Sequence, residues 1–195
     1  MKVELLNYPE DLETIIAKAA GICYDSKVNN PKQLVRRLKA DGHLATFRFA
    51  HITFQVSEFS RSCSMQVLRH KFLDFLQRSQ RYCKEFEFDY VIPPSIQSNK
   101  KALYLFKQAM EYDQEIYDEL INQGIKAEDA RYVLPNACHT AMNITGSVQA
   151  WYDFLYGNAG RLQKAAQWEI RAIAIEIEKQ LAEIAPTIFS GNKGK

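Results

Sequence analysis

Between residues 69 and 82 the chain carries four permanent cations, Arg69, Lys71, Arg78 and Arg81, with His70 and a single acid, Asp74. Crowding like charges raises self-repulsion, so a fold that keeps them together gains by offsetting them with an anion. Arginine forks beside a hydroxyl, here Ser79, suit phosphate oxygens, which accept paired, charge-assisted hydrogen bonds. Leu68, Phe72, Phe75 and Leu76 recur through the segment at helical spacing, which predicts an ordered surface rather than a solvated basic run.

Other reactive residues offer less. Cys138-His139 suggests a nucleophile with its base, but adjacent side chains seldom face each other and no third orienting group is evident. The four histidines (His43, His51, His70, His139) lack zinc-ligand spacing, and no metal is expected. The four cysteines form no Cys-x-x-Cys pair and read as reduced intracellular thiols. At 195 residues the chain is long enough for one domain with a real core. A net charge of +2 leaves anion binding to local clusters. The first residues lack a basic-then-apolar leader and no run of about 18 apolar residues occurs, so neither secretion nor a membrane span is expected. The expected location is the cytoplasm, or the host cytoplasm if the gene is viral.

The elements that must position these residues follow from periodicity. Strands are expected over Met1 to Asn7, His51 to Phe59, Phe86 to Ile92 and residues 139 to 145. Helices are expected over Asp11 to Cys23, Pro31 to Lys39, Ser60 to Phe72, Lys100 to Gln123, Ala127 to Pro135 and Ser147 to Leu155. The helix from Ser60 would deliver the basic cluster at its C-terminal end, where the helix dipole favours cations. Gly157 to Gly160 reads as a turn. Arg161 to Ala185 carries an apolar stripe and predicts a helix of roughly 37 Å, with Gln167 and Trp168 as packing residues. The tail from Ser190 to Lys195 reads as loose.

The Arg69-His70-Lys71 block, seven residues and then Ser79 resembles the signature of the flavin-dependent thymidylate synthases, with Lys71 in place of arginine. Gly42-His43 with His51, Gln66 ahead of Arg69, and Arg81-Tyr82 after the serine resemble further family segments. So do Arg131-Tyr132-Val133-Leu134-Pro135-Asn136 and Ala166-Gln167-Trp168-Glu169-Ile170-Arg171. In all, the resemblance covers roughly residues 40 to 190. The resemblance implies an α+β fold with a helix-rich core and a small mixed or antiparallel sheet, in a homotetramer with shared sites. It implies reductive methylation of dUMP to dTMP, with methylenetetrahydrofolate as carbon donor, NADPH as reductant and FAD as cofactor. Such cofactors carry the bond-making while side chains bind, orient and polarise.

By the same resemblance, Gln66, Arg69, Gln77, Arg78, Ser79, Gln80, Arg81 and Arg131 would hold dUMP, with Arg131 reaching in from another subunit. His43, Thr46, Arg69, His70, Lys71, Gln77, Ser147, Gln149 and Asp153 would face FAD. Arg161, counted back from Gln167, would be the catalytic cation beside the pyrimidine imide, whose pKa a fixed positive charge lowers. Blander roles stand beside these. Ser79 and Arg81 could cap a neighbouring element, His43 and His51 could be structural, and Arg161 could sit exposed in the first turn of its helix.

Departures from the family pattern gather in one place. Ser147 and Gln149 stand where asparagine and arginine are usual, and Asp153 where asparagine or histidine is common. Ala50 replaces a frequent glutamate. About three extra residues around Gly157 to Gly160 leave Asn158 as the alternative to Arg161. These departures leave open a related methylation or hydroxymethylation of another pyrimidine nucleotide, or a retained fold without catalysis. A nucleic-acid-binding module using residues 69 to 81 with Phe72, Phe75 and Tyr82 as stacking surfaces is a further alternative. The near-neutral charge and the lack of a recognised binding pattern weigh against it, so no nucleic-acid partner is expected.

Overall fold

The computed structural model describes residues 1–23 and 25–190, so the expectation for the tail after Ser190 lies outside the described residues. Strand β1 (Lys2–Asn7) is followed by helices α1 (Leu12–Ile22) and α2 (Pro31–Ala40), a 3₁₀ turn (Leu44–Phe49) and strand β2 (His51–Ser60). Then come α3 (Arg61–Val67), β3 (Leu73–Gln77), α4 (Pro94–Gln97), α5 (Lys100–Asn122) and α6 (Ala127–Ala130). A 3₁₀ turn (Arg131–Val133), β4 (His139–Ser147), α7 (Val148–Tyr156), α8 (Trp168–Ile184) and α9 (Pro186–Phe189) complete the order. Helices with one four-stranded sheet, ordered β1-β2-β4-β3, make the chain α+β. Thr53 meets Thr145 at 2.8 Å and Gln55 meets Asn143 at 3.0 Å, so β2 and β4 run in opposite directions.

The chain forms two compact units. The first comprises Met1–Lys2, Ser57–Gln66 and Gln77–Met142; the second comprises Val3–Val56, Val67–Leu76 and the chain from Asn143 onward. In the first, Tyr117, Ile121 and Ala130 form a core with Leu120, Ala127, Val133 and Leu134. The polar edge of α5 fixes the loop that precedes it. The Tyr117 hydroxyl accepts from the Glu85 N–H at 3.1 Å, and Gln114 Oε1 accepts from the Phe88 N–H at 2.7 Å. The Glu85 carboxylate, buried by these contacts, accepts from Arg78 Nη1 at 2.6 Å.

In the second unit the alternating residues of β2, Ile52, Phe54 and Val56, are fully buried, as are Trp151, Phe154, Ile170, Ile173 and Ile177. Trp151 stacks edge-on to Phe54 at 5.1 Å and donates its indole N–H to the Ile52 carbonyl at 3.0 Å. The buried ring thereby meets its one polar requirement.

Several elements differ from the periodicity reading. The helix expected to reach Phe72 stops at Val67, and the basic cluster lies in the turn before β3 instead of at a helix end. Strand pairing accounts for this: Leu73 packs so closely on Gly146 of β4 that a Cβ there would lie 2.5 Å from Leu73 Cδ2. Phe72 and Leu76, four residues apart, are both 78% exposed and line no core. Phe86 to Ile92 is not a strand, for Glu87 is left-handed (φ 49°) and only Tyr90 bridges to Cys138. The helix from Ala127 is four residues long before it tightens to 3₁₀. The last long helix begins at Trp168, where the Gln167 side chain caps the Glu169 and Ile170 N–H groups, giving roughly 25 Å instead of 37 Å. Gln167 is thus a cap, and Trp168 is exposed.

Replacing Tyr117 with Phe leaves the buried Glu85 N–H without its acceptor, for an expected loss of about 1–3 kcal/mol. Urea unfolding measures it, and a variant as stable as the parent contradicts the pinning role.

Candidate active site

Val67 closes α3, and the chain turns twice through hydrogen bonds from the His70 N–H to the Val67 carbonyl (3.1 Å) and from the Leu73 N–H to the His70 carbonyl (3.2 Å). This turn exposes Arg69 and Lys71 while directing the His70 ring inward, edge-on to Phe154 at 4.7 Å. No described carboxylate lies within ion-pair distance of Arg69 or Lys71.

Arg161 reaches the same turn. Its Nε donates to His70 Nε2 at 2.8 Å. The acceptor nitrogen must be unprotonated, so the imidazole is neutral with its proton on Nδ1. Burial first, and the Arg161 charge second, lower the His70 pKa to about 4. Two glycines make the approach possible. A Cβ on Gly157 would meet the Asp153 carbonyl at 2.6 Å, and one on Gly160 would meet the Leu155 carbonyl at 2.5 Å. The tight turn lets the Arg161 N–H donate to the Phe154 carbonyl at 2.8 Å, off any helix. Arg161 is therefore half-buried, not exposed in a helical first turn. Asn158 is exposed, and its carbonyl accepts from Gln163.

Also in the second unit, a pocket of about 280 Å³ is lined by Arg48, His51, Phe72, Asp74, Gly146, Ser147, Gln149, Ala150 and Asp153. Ser147 caps α7 by accepting from the Ala150 N–H at 3.2 Å, and Gln149 Oε1 accepts from Arg48 Nε at 2.7 Å. Burial raises the Asp153 pKa, partly opposed by Arg48. Thr46 lies on the 3₁₀ turn and His43 at its N-cap, where the Thr46 hydroxyl donates to the His43 carbonyl at 3.5 Å. Arg48 and Asp74 escaped the sequence reading. Arg48 sits one turn short of His51 with no motif around it, and Asp74 reads as the lone acid in a basic run.

The remaining residues named from sequence belong to the first unit: Gln66, Gln77, Arg78, Ser79, Gln80, Arg81 and Arg131. Gln77 donates to Thr140 Oγ1 at 3.1 Å. Ser79 Oγ accepts from the Arg81 N–H at 3.2 Å, and Arg81 Nε pairs with Glu128 at 2.7 Å. Arg131 Nε donates to the Glu128 carbonyl at 3.0 Å. Cys138 is buried, and burial foremost, with Glu85 and Asp113, pushes its thiol up to about 12. Such a thiol is no nucleophile near neutrality. Among the described residues no three His, Cys, Asp or Glu side chains cluster as a metal site, and no helix is long and apolar enough to cross a membrane.

Comparison with known proteins meets this geometry from another direction. The family model described as thymidylate synthase complementing protein matches residues 4–187. The flavin-dependent thymidylate synthase of Clostridium tetani is 33% identical over 218 residues, covering 97% of this chain and 85% of the relative. That of Geobacter sulfurreducens is 33% identical over 201 residues with the same coverages, and that of Sulfurisphaera tokodaii 32% identical over 201 residues, covering 97% and 76%. The chain belongs to the flavin-dependent thymidylate synthases, a family of enzymes.

A flavin is the cofactor the family name implies, and the second unit's pocket can be tested for it. At about 280 Å³ it falls at the small end of ligand sites, enough for a ring system and not a whole dinucleotide. Its lining offers the exposed Phe72 ring, the Gln149 amide nitrogen and two carboxyls, Asp74 and Asp153. Carboxyls would repel a diphosphate but accept from a ring N–H, so the donor set fits the ring end of a flavin.

If His70 accepts from Arg161, nitrogen NMR of ring-labelled protein should show a neutral imidazole protonated on Nδ1 from about pH 8 down to about pH 5. An ordinary titration near 6.5 contradicts the pairing.

Proposed function

We propose that this chain catalyses the reductive methylation of dUMP to dTMP, with methylenetetrahydrofolate as carbon donor and NADPH as reductant. It would do so as one catalytic domain with the family's characteristic fold, in a cytoplasmic homotetramer whose sites are shared. FAD, reduced by NADPH, would supply the hydride. The protein's share is to bind, orient and polarise.

The observation that carries this reading is the contact between Arg161 and His70 of the signature block. It supports Arg161 over Asn158 as the residue beside the pyrimidine. A neutral imidazole holds the guanidinium by one nitrogen without adding charge. A cation so fixed favours the ionised form of a uracil imide next to it. The Ser79 hydroxyl accepts from the Arg81 N–H, and the Arg81 guanidinium binds Glu128 through Nε. That set suits a phosphate monoester, which Gln66, Gln77, Arg78, Gln80 and Arg131 would help to seat. Arg69, His70 and Lys71, with His43, Thr46, Ser147, Gln149 and Asp153, would line the flavin. Arg69 and Lys71 have no carboxylate partner among the described residues, which leaves them available to its phosphates.

Asp153 favours a second reading. Its carboxyl lines the pocket, and burial raises its pKa. It could accept from an amino or hydroxyl donor on a different pyrimidine or one-carbon product. One experiment separates the two: incubate the protein with dUMP, methylenetetrahydrofolate and NADPH, then weigh the nucleotide. A gain of one methylene unit is expected. Unchanged dUMP, alongside turnover of another pyrimidine nucleotide, contradicts the first reading.

A further inference from the structure

The first unit holds a pocket of about 300 Å³ whose lining includes Arg61, Met65, Gln80 and Arg131, and no carboxylate. Neither guanidinium forms an ion pair with a described carboxylate. Among the described residues the Arg61 side chain donates only to the Arg78 carbonyl, at a long 3.5 Å, while Arg131 uses Nε on the Glu128 carbonyl. Burial first, and then the Arg131 charge, lower the Arg61 pKa, whereas Glu85 and Cys138 oppose this. Glu85 is itself engaged by Arg78. Gln80 is only 8% exposed, and its Nε2 is buried without an acceptor among the described residues.

Buried donors in native proteins have partners, and an orphan needs an explanation. Two guanidinium groups and the orphan amide nitrogen of Gln80 around one pocket are all donors. The missing component is an acceptor with several oxygens and negative charge, as in a phosphate monoester. The Arg61 side chain is placed for this by α3, on which Arg61 and Met65, four residues apart, share the face that lines the pocket.

We propose that Arg61 joins Gln80 and Arg131 in gripping the substrate's phosphate, and that this pocket selects the charged nucleotide over its nucleoside. The proposal rests on the reading above that Gln80 and Arg131 serve the nucleotide, and it seats both in the one chain whose pocket they line, instead of having Arg131 reach in from a different subunit than Gln80. It adds a residue that no signature segment contains.

Calorimetric titration of the flavin-loaded protein with dUMP, deoxyuridine and inorganic phosphate tests it, using wild type, Arg61→Gln and Arg61→Lys. The glutamine variant should bind dUMP about tenfold to a hundredfold more weakly, with deoxyuridine binding and flavin absorbance unchanged. Lysine should recover only part of the loss, having charge without the fork. Gln80→Met offers a second test that does not touch the arginines. Without ligand it should melt no lower than wild type, because the orphan amide is gone, yet it should bind phosphate more weakly. Undiminished dUMP and phosphate binding in Arg61→Gln overturns the proposal, as does equal loss of deoxyuridine, or a wild type that binds neither anion. Phosphate bound through Arg61 by a protein that ignores dUMP would support the pocket and refute dUMP as the substrate.

Discussion

A guanidinium can donate to a histidine nitrogen only while that nitrogen carries no proton, and the arrangement of the second unit turns on this. His70 is held neutral by burial and by the Arg161 charge, and Arg161 is held in turn by the lone pair His70 offers. Each group therefore fixes the state of the other. The pairing requires a backbone that doubles back between α7 and α8, which the close carbonyl contacts at Gly157 and Gly160 demand of glycine. It also requires that α3 stop at Val67, so that the signature lies in a turn with its histidine inward and its cations outward.

The same segment divides its charges between two duties. Arg78 is tied to buried Glu85, itself pinned by Tyr117, and Arg81 is tied to Glu128. These pairs hold the loop after β3 in place, and Arg81, bound to Glu128 through Nε, still has its terminal nitrogens for the phosphate proposed above. Arg69 and Lys71 have no such partners among the described residues, and Arg61 and Arg131 line a pocket free of carboxylates. A chain of net charge +2 can tolerate unpaired cations of this kind locally, and they are most readily understood as sites for anions.

How much of this was legible beforehand varies from residue to residue. The strand at His51 and the helices at Pro31 and Lys100 announced themselves, because alternation, Pro at N1 and amphipathic spacing are local signals. The helix through Phe72 did not survive. Leu73 is drawn into pairing with β4, and no spacing within the segment reports a distant glycine. Phe86 to Ile92 alternates like a strand, but a left-handed Glu87 and the Gln114 side chain satisfy its backbone otherwise. Family motifs pointed to the signature block and to Arg161, which the folded chain brings to His70. Arg48, Arg61, Asp74 and the acidic partners Glu85 and Glu128 stayed hidden, since only the folded chain brings them beside their neighbours.

The central claim is that the cations of residues 69–82 grip the phosphorylated ends of a pyrimidine nucleotide and a flavin. A crystal structure of the protein grown with dUMP and FAD tests it most directly. The account predicts the nucleotide phosphate within hydrogen-bond reach of Ser79 and Arg81, and the flavin against Arg69, His70 and Lys71. Both molecules bound away from this segment, with its cations facing solvent, would contradict it.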